Sequence, residues 1–244
     1  MADKGPDSTS LESLLREAEA ISRAGGLALV ASDGGRLEPD LEATGGELIR
    51  LPVNSKNPMT VALNAQRLAA VIRKRRVQIV HARSRAPAWS ALLAARMTGV
   101  PFVTTFHGIY NGRRGLKRFY NSVMARGDVV IANSEYTREH ILENYDVKPE
   151  RVVAIPRGAD IDVFNRANVA PSEIAAMRTL WNLGARDARC VVIAPARLTR
   201  WKGQLVLIEA VRLIEERRPG ALKVIIAGDA QGRTSYLQEM VSAL

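Results

Sequence analysis

The 244-residue chain is 47% hydrophobic and 25% charged, enough apolar material for one large core or two modest ones. No apolar run reaches the roughly 18–20 residues of a membrane-spanning helix, and the N-terminus lacks the apolar stretch of a secretory signal, so a cytoplasmic protein is expected. A single cysteine, Cys190, excludes an internal disulfide framework; it stands in the apolar run Cys190–Ala194 and reads as a buried structural thiol.

The net charge of +10 is unevenly spread. Fifteen of the 35 Lys and Arg fall between positions 48 and 127, where no Asp or Glu occurs, so the other 20 stand against all 25 acids. Such a concentrated positive field attracts phosphates, anionic lipid head groups or nucleic acid. Solvated Arg faces are the plainer explanation of the same composition.

Residues 1–10 read as a flexible lead-in. Thr9 and Glu12 make a capping-box pattern, and Leu11, Leu14, Leu15, Ala18 and Ile21 follow at helical spacing until Gly25-Gly26. Strands are then expected at 27–31 and 47–53, with a short helix between them, and a helix at 59–75. The rhythm continues with strands at 77–80, 102–106, 129–132 and 151–155, separated by helices at 88–97, 116–124 and 135–143. Short apolar strands alternating with helices imply parallel βαβ units buried on both faces, a Rossmann-like doubly wound α/β sheet. Residues 156–169, with Pro156, Gly158 and two asparagines, read as a linker. A helix at 171–181 and a second series follow: strand 190–194, helix 204–216, strand 222–227, and a helix from about 235. The expected division is 11–165 for a first Rossmann-like domain lacking its opening strand, and 166–244 for an incomplete second one.

In open α/β sheets ligands bind beyond the carboxyl ends of the strands. That rule selects His81, Arg83, Ser84 and Arg85; His107-Gly108; Asn133-Ser134; Arg157-Gly158; and Gly228-Asp229. It also selects Ala196-Arg197-Leu198-Thr199-Arg200-Trp201-Lys202-Gly203, where the cations Arg197 and Lys202 and the free N–H groups of a helix start suit a diphosphate. A solvated basic turn is the bland alternative there. His107, held beside a glycine, suits a sugar hydroxyl, or is a packed strand-end histidine; His81 is open to the same two readings, and His140 reads as a surface or packing residue. No Walker loop, dinucleotide fingerprint or nucleophile elbow occurs, and three scattered histidines with one cysteine make no metal constellation.

These residues, in the order Ile79–Ser84, Thr104–Gly108, Ile131–Ser134, Ile155–Asp160 with Phe164, Ala196–Gly203 and Ile226–Asp229, resemble the retaining glycosyltransferase family 4 of GT-B fold, over about residues 25–244. The flavour is that of bacterial lipopolysaccharide and surface-glycan enzymes. The resemblance implies transfer of a sugar from a nucleotide-sugar donor to a glycan or lipid-linked acceptor with retention of configuration, without metal or other cofactor. Arg197, Lys202 and Gly203 would hold the donor diphosphate, and His107 would act at the reacting face. His81, Arg83, Gly108 and Ser134 would lie on the acceptor and sugar side, and Arg157 and Gly158 in the hinge. Cations of the later half would face polar groups of the earlier half across one cleft. The family's first strand with its Gly-Gly loop, and its paired glutamates, have no counterpart in the sequence, which reads as truncated at both ends and of uncertain competence alone. Residues 48–127 would give peripheral contact with the anionic inner face of the cell membrane. The competing readings are a non-catalytic basic module binding a phosphorylated ligand or nucleic acid, the latter disfavoured by an aromatic content of 5%, and a remnant serving as scaffold.

Overall fold

A computed structural model describes residues 8–35, 38–110, 115–159, 161–184, 187–230, 232 and 234–243, with side chains from residue 13. Most of the expected lead-in, and Asp160 of the linker, lie outside these. The chain divides into two compact units, one ending at Gly158 and the other running from Ala159 to Leu244.

The first unit opens with α1 (Ser8–Arg23), which starts ahead of Thr9 and so places that residue inside the helix. Next come β1 (Leu29–Ser32), α2 (Glu38–Ala43), β2 (Glu47–Arg50) and α3 (Pro58–Arg75). Asn57 starts α3 by accepting from Met59 N–H at 2.9 Å, and Pro58 fills the first turn, where its missing N–H is harmless. Then follow β3 (Val80–Ala82), α4 (Arg85–Thr98), β4 (Phe102–Phe106), α5 (Gly115–Ser122), β5 (Val129–Ala132), α6 (Glu135–Asn144) and β6 (Val152–Ala154).

All ladders are parallel. β1 pairs β2, and β3-β4-β5-β6 form a second sheet in chain order. Phe106 pairs Ala132, which pairs Ala154, so the carboxyl ends of β4, β5 and β6 finish level. Phe102, Phe106, Val130, Ala132, Met124 and Ile141 are fully buried between this sheet and its helices. That burial of apolar surface is the main stabilising term.

One expected strand moves. Residues 77–79 do not pair; the strand is Val80–Ala82. Val77 closes α3 instead. Its N–H bonds Ile72 C=O at 3.0 Å while Arg76, at φ 52°, bonds Arg73 C=O, and the Val77 side chain packs by Ile72. This is a helix-end closure in which the apolar residue after the left-handed cap covers the last turn. His81 therefore lies within the strand, not beyond it.

The second unit holds α7 (Pro171–Leu180), β7 (Cys190–Pro195), α8 (Gln204–Arg217), β8 (Leu222–Ala227) and α9 (Thr234–Ser242). β7 and β8 pair in parallel, and Leu198, Ile208, Tyr236 and Met240 form the core. The expectation of strands buried on both faces fails here. Alternate residues of β7 are exposed, and Cys190 is an exposed thiol, because the strand's first residue has only Leu222 of β8 beside it in the ladder. No helix among the described residues is long and apolar enough to cross a membrane.

Candidate functional site

In the first unit the sheet's carboxyl edge gathers a polar cluster. His81 on β3 is held at both ring nitrogens: Nδ1 lies 2.7 Å from Glu17 Oε1 and Nε2 lies 2.8 Å from Thr105 Oγ1. Arg83, one residue beyond β3, donates to the other Glu17 oxygen and, at 2.7 Å, to Ser13 Oγ. Burial by itself would raise the Glu17 carboxyl, but the bonds and charges of His81 and Arg83 outweigh it and hold the group below its ordinary range. Burial likewise depresses Arg83, with the Glu17 carboxylate opposing.

His107 follows β4. Arg157, just beyond β6, donates to its Nδ1 at 2.9 Å. A guanidinium can only donate, so Nδ1 accepts and the ring proton sits on Nε2. Burial first, then the positive charges of Arg83 and Arg157, bring the His107 pKa down to about 4. The imidazole is neutral at pH 7. Its Nε2–H is buried and has no partner among the described residues, as is Arg83 Nε–H. Two orphaned donors at one sheet edge are costly unless a ligand oxygen accepts from them.

Gly108 adopts φ 154°, a conformation that L side chains rarely take, and the space beside it is open. The Ser134 hydroxyl is committed locally: it accepts from Thr137 N–H at 3.1 Å and caps α6. What remains there for a ligand is the helix start itself. Gly158, the last residue of this unit, has open space around its Cα.

In the second unit the basic loop after β7 is built around Trp201, which is 73% exposed. The Arg197 guanidinium lies 6.0 Å and the Lys202 ammonium 4.7 Å from its ring centroid. Arg200 turns away into a bidentate pair with Glu239 at 2.9 and 2.6 Å. Gly203, at φ 78°, ends the turn and opens α8. Buried Gln204 donates to Arg197 C=O at 2.9 Å and accepts from the Tyr236 hydroxyl at 3.1 Å, which fixes the loop to the core. Gly228 packs so tightly on this loop that an added Cβ would fall 1.9 Å from Ala196 O.

A sequence model of glycosyltransferase family 4 matches residues 13–163, more than half of the chain. The chain belongs to glycosyltransferase family 4. A crystal structure of a glycosyltransferase from Rickettsia africae is 34% identical, with a TM-score of 0.84 over 95% of this chain and 60% of that one. The Anabaena protein Alr3699/HepE, crystallised with UDP and glucose, shares the fold at a TM-score of 0.72 and 22% identity, over 100% of this chain and 63% of its own. The D-inositol 3-phosphate glycosyltransferase of Corynebacterium aurimucosum is 32% identical over 109 residues, 44% of this chain and 25% of that protein. A protein of the same name from Arthrobacter is 25% identical over 182 residues, 69% of this chain and 42% of its own. The chain thus spans about a quarter to two fifths of these two curated relatives. Its fold is the α/β GT-B type of the family's solved structures.

Two site residues escape a reading of the sequence. Glu17 and Ser13 sit on a helix whose apolar spacing marks it as structural, and only the fold carries them to β3. The anchoring bonds of Gln204, directly after the basic motif, likewise appear only in the fold.

Proposed function

We propose that the chain contributes to a glycosyltransferase that moves a sugar from a nucleotide-sugar donor to a phosphate-bearing acceptor with retention of configuration. The observation that carries this reading is the orphaned Nε2–H of a neutral His107, flanked by the cations Arg83 and Arg157. A neutral donor there bonds a sugar hydroxyl or a departing oxygen without adding a charge of its own. Glu17 is already shared by His81 and Arg83, so the cluster keeps a positive surplus that favours an anionic group.

On this reading Arg197 and Lys202, with the α8 start at Gly203, hold the diphosphate. They stabilise the charge that grows on it as the sugar–oxygen bond breaks. UDP in the Anabaena crystal, and the D-inositol 3-phosphate named for the Corynebacterium protein, support the two halves of the assignment. The phosphate belongs either to a lipid-linked intermediate of surface-glycan or lipopolysaccharide synthesis at the inner membrane face, or to a soluble phosphorylated polyol.

Thermal unfolding with and without UDP, GDP, inositol phosphate and a short-chain polyprenyl phosphate tests the reading. A ligand present at a hundred times its Kd stabilises the fold by about 2.7 kcal/mol. Stabilisation by a nucleoside diphosphate should vanish in Arg197→Ala and Lys202→Ala. Stabilisation by one of the two phosphorylated probes should vanish in Arg157→Ala, and the probe that acts identifies the acceptor class. Stabilisation by heterologous DNA, with none by nucleotide, overturns the proposal in favour of a nucleic-acid module.

A further inference from the structure

We infer that α5 is a docking face for an anionic lipid bilayer. Residues 115–119 are five consecutive exposed positions on this helix. Leu116 is 88% and Phe119 58% exposed, and the two stand three residues apart on one face. Lys117, Arg118 and Arg126 are exposed around them, and Lys56 reaches the next aromatic, its ammonium 6.0 Å from the Tyr120 ring.

The apolar face is not exposed by fraying, because the inner side of α5 is anchored. Asn121 is fully buried and accepts from Arg85 at 2.8 Å; Trp89 Nε1 donates to Tyr120 C=O at 3.2 Å. Phe119 stacks on Trp89 at 5.2 Å, and the Arg126 guanidinium lies over both rings at 5.2 and 5.5 Å. The fold therefore holds an aliphatic and an aromatic side chain outward on a rigid base, ringed by cations.

Beside them opens a cavity of about 540 Å³ in which Arg118, Arg126 and Tyr145 are opposed by a single carboxylate, Asp146. Its size and charge suit a phospholipid head group. The whole segment from 48 to 127 has no acidic residue to repel an anionic surface. Leu116 and Phe119 would enter the boundary between head groups and acyl chains while the cations pair with phosphates. A phosphate backbone alone would leave both apolar groups without a function, which favours a bilayer over nucleic acid. Arg85, two residues after Arg83 and the first residue of α4, bonds Asn121 of α5, so the anchored end of the docking helix is tied to the start of α4 beside the proposed acceptor edge.

Co-sedimentation of the full chain with phosphatidylcholine vesicles, with and without 30% phosphatidylglycerol, tests the inference. Binding should require phosphatidylglycerol and weaken in 0.5 M salt. Lys117→Gln with Arg118→Gln should lower the partition coefficient about tenfold or more, from the worth of two basic groups near an anionic surface. Leu116→Ser, at a position too exposed to affect folding, should lower it several-fold at unchanged charge. The face serves the lipid-side acceptor proposed above, but the assay reads lipid alone. A chain stabilised by UDP that ignores vesicles loses only the docking face, and one that binds vesicles without answering to UDP loses only the transferase reading. Equal binding to neutral vesicles, an unchanged Leu116→Ser, or a preference for an oligonucleotide that Leu116→Ser leaves intact overturns the inference.

Discussion

Arg157→Ala separates the electrostatic account of His107 from simple burial. Arg157 donates to Nδ1 and contributes to holding the pKa at about 4, against an ordinary value of 6.5. A hydrogen bond from a charged donor is worth about 1.5–3 kcal/mol when shielded. Arg157 is exposed, so solvent screening reduces this to roughly 1.4 kcal/mol, about one pKa unit. The variant should therefore titrate His107 near 5, and part of the ring population should shift its proton from Nε2 to Nδ1. Long-range ¹H–¹⁵N spectra of the three histidines resolve both the titration and the tautomer. The same depression has a consequence for stability. Above pH 6.5 the ring is neutral folded or unfolded, and His107 contributes nothing to the pH dependence. As pH falls from 6.5 towards 4 the unfolded chain takes up a proton that the folded chain refuses, so stability declines across that window. The full shift would correspond to about 3 kcal/mol, and partial exposure reduces it to on the order of 1–2 kcal/mol. Arg157→Ala should narrow the window from its acid side. A wild-type His107 titrating near 6.5, or a variant with unchanged titration and tautomer, refutes the argument.

Glu17→Gln should cost about 1–2 kcal/mol at pH 7 in urea unfolding, because half-buried Arg83 and His81 lose their shared acceptor charge. Since the Glu17 carboxyl sits below its ordinary 4.5, that difference from wild type should shrink as pH falls below 4.5 and the wild-type group protonates. Gly228→Ala should destabilise the second unit by about 1–3 kcal/mol, visible as an earlier thermal transition, since backbone and not a flexible side chain blocks the new methyl. Cys190 should react with a thiol reagent in the native state at the rate of an exposed cysteine, and Cys190→Ser should change stability by less than about 0.5 kcal/mol. Slow labelling that waits on unfolding would restore the buried reading.

The alternation of apolar runs with amphipathic helices identifies the α/β class and nearly every element. β4 and β5 keep the bounds read from the sequence because proline or polar residues flank both ends of each, and β8 keeps its bounds with Gly228 closing its run. The glycines and cations at strand ends also identify the sheet edge where ligands belong, since that rule depends on chain direction alone. What the sequence does not carry is pairing at a distance. The Val77 side chain is apolar whether it enters a strand or closes a helix, and only the left-handed Arg76 ahead of it decides for the helix end. Cys190 lies in a run that periodicity marks as core, yet burial needs a neighbour on each side, and among the described residues the ladder beside it holds only β8. Glu17 and His81 are 64 residues apart, and Arg157 and His107 are 50 apart. Their bonds, and with them the tautomer and charge of the imidazole, exist only because the folded chain brings β3, β4, β6 and α1 to one edge. Local patterning is written in neighbours a few residues away, whereas protonation is set by the field of groups that only tertiary contact assembles.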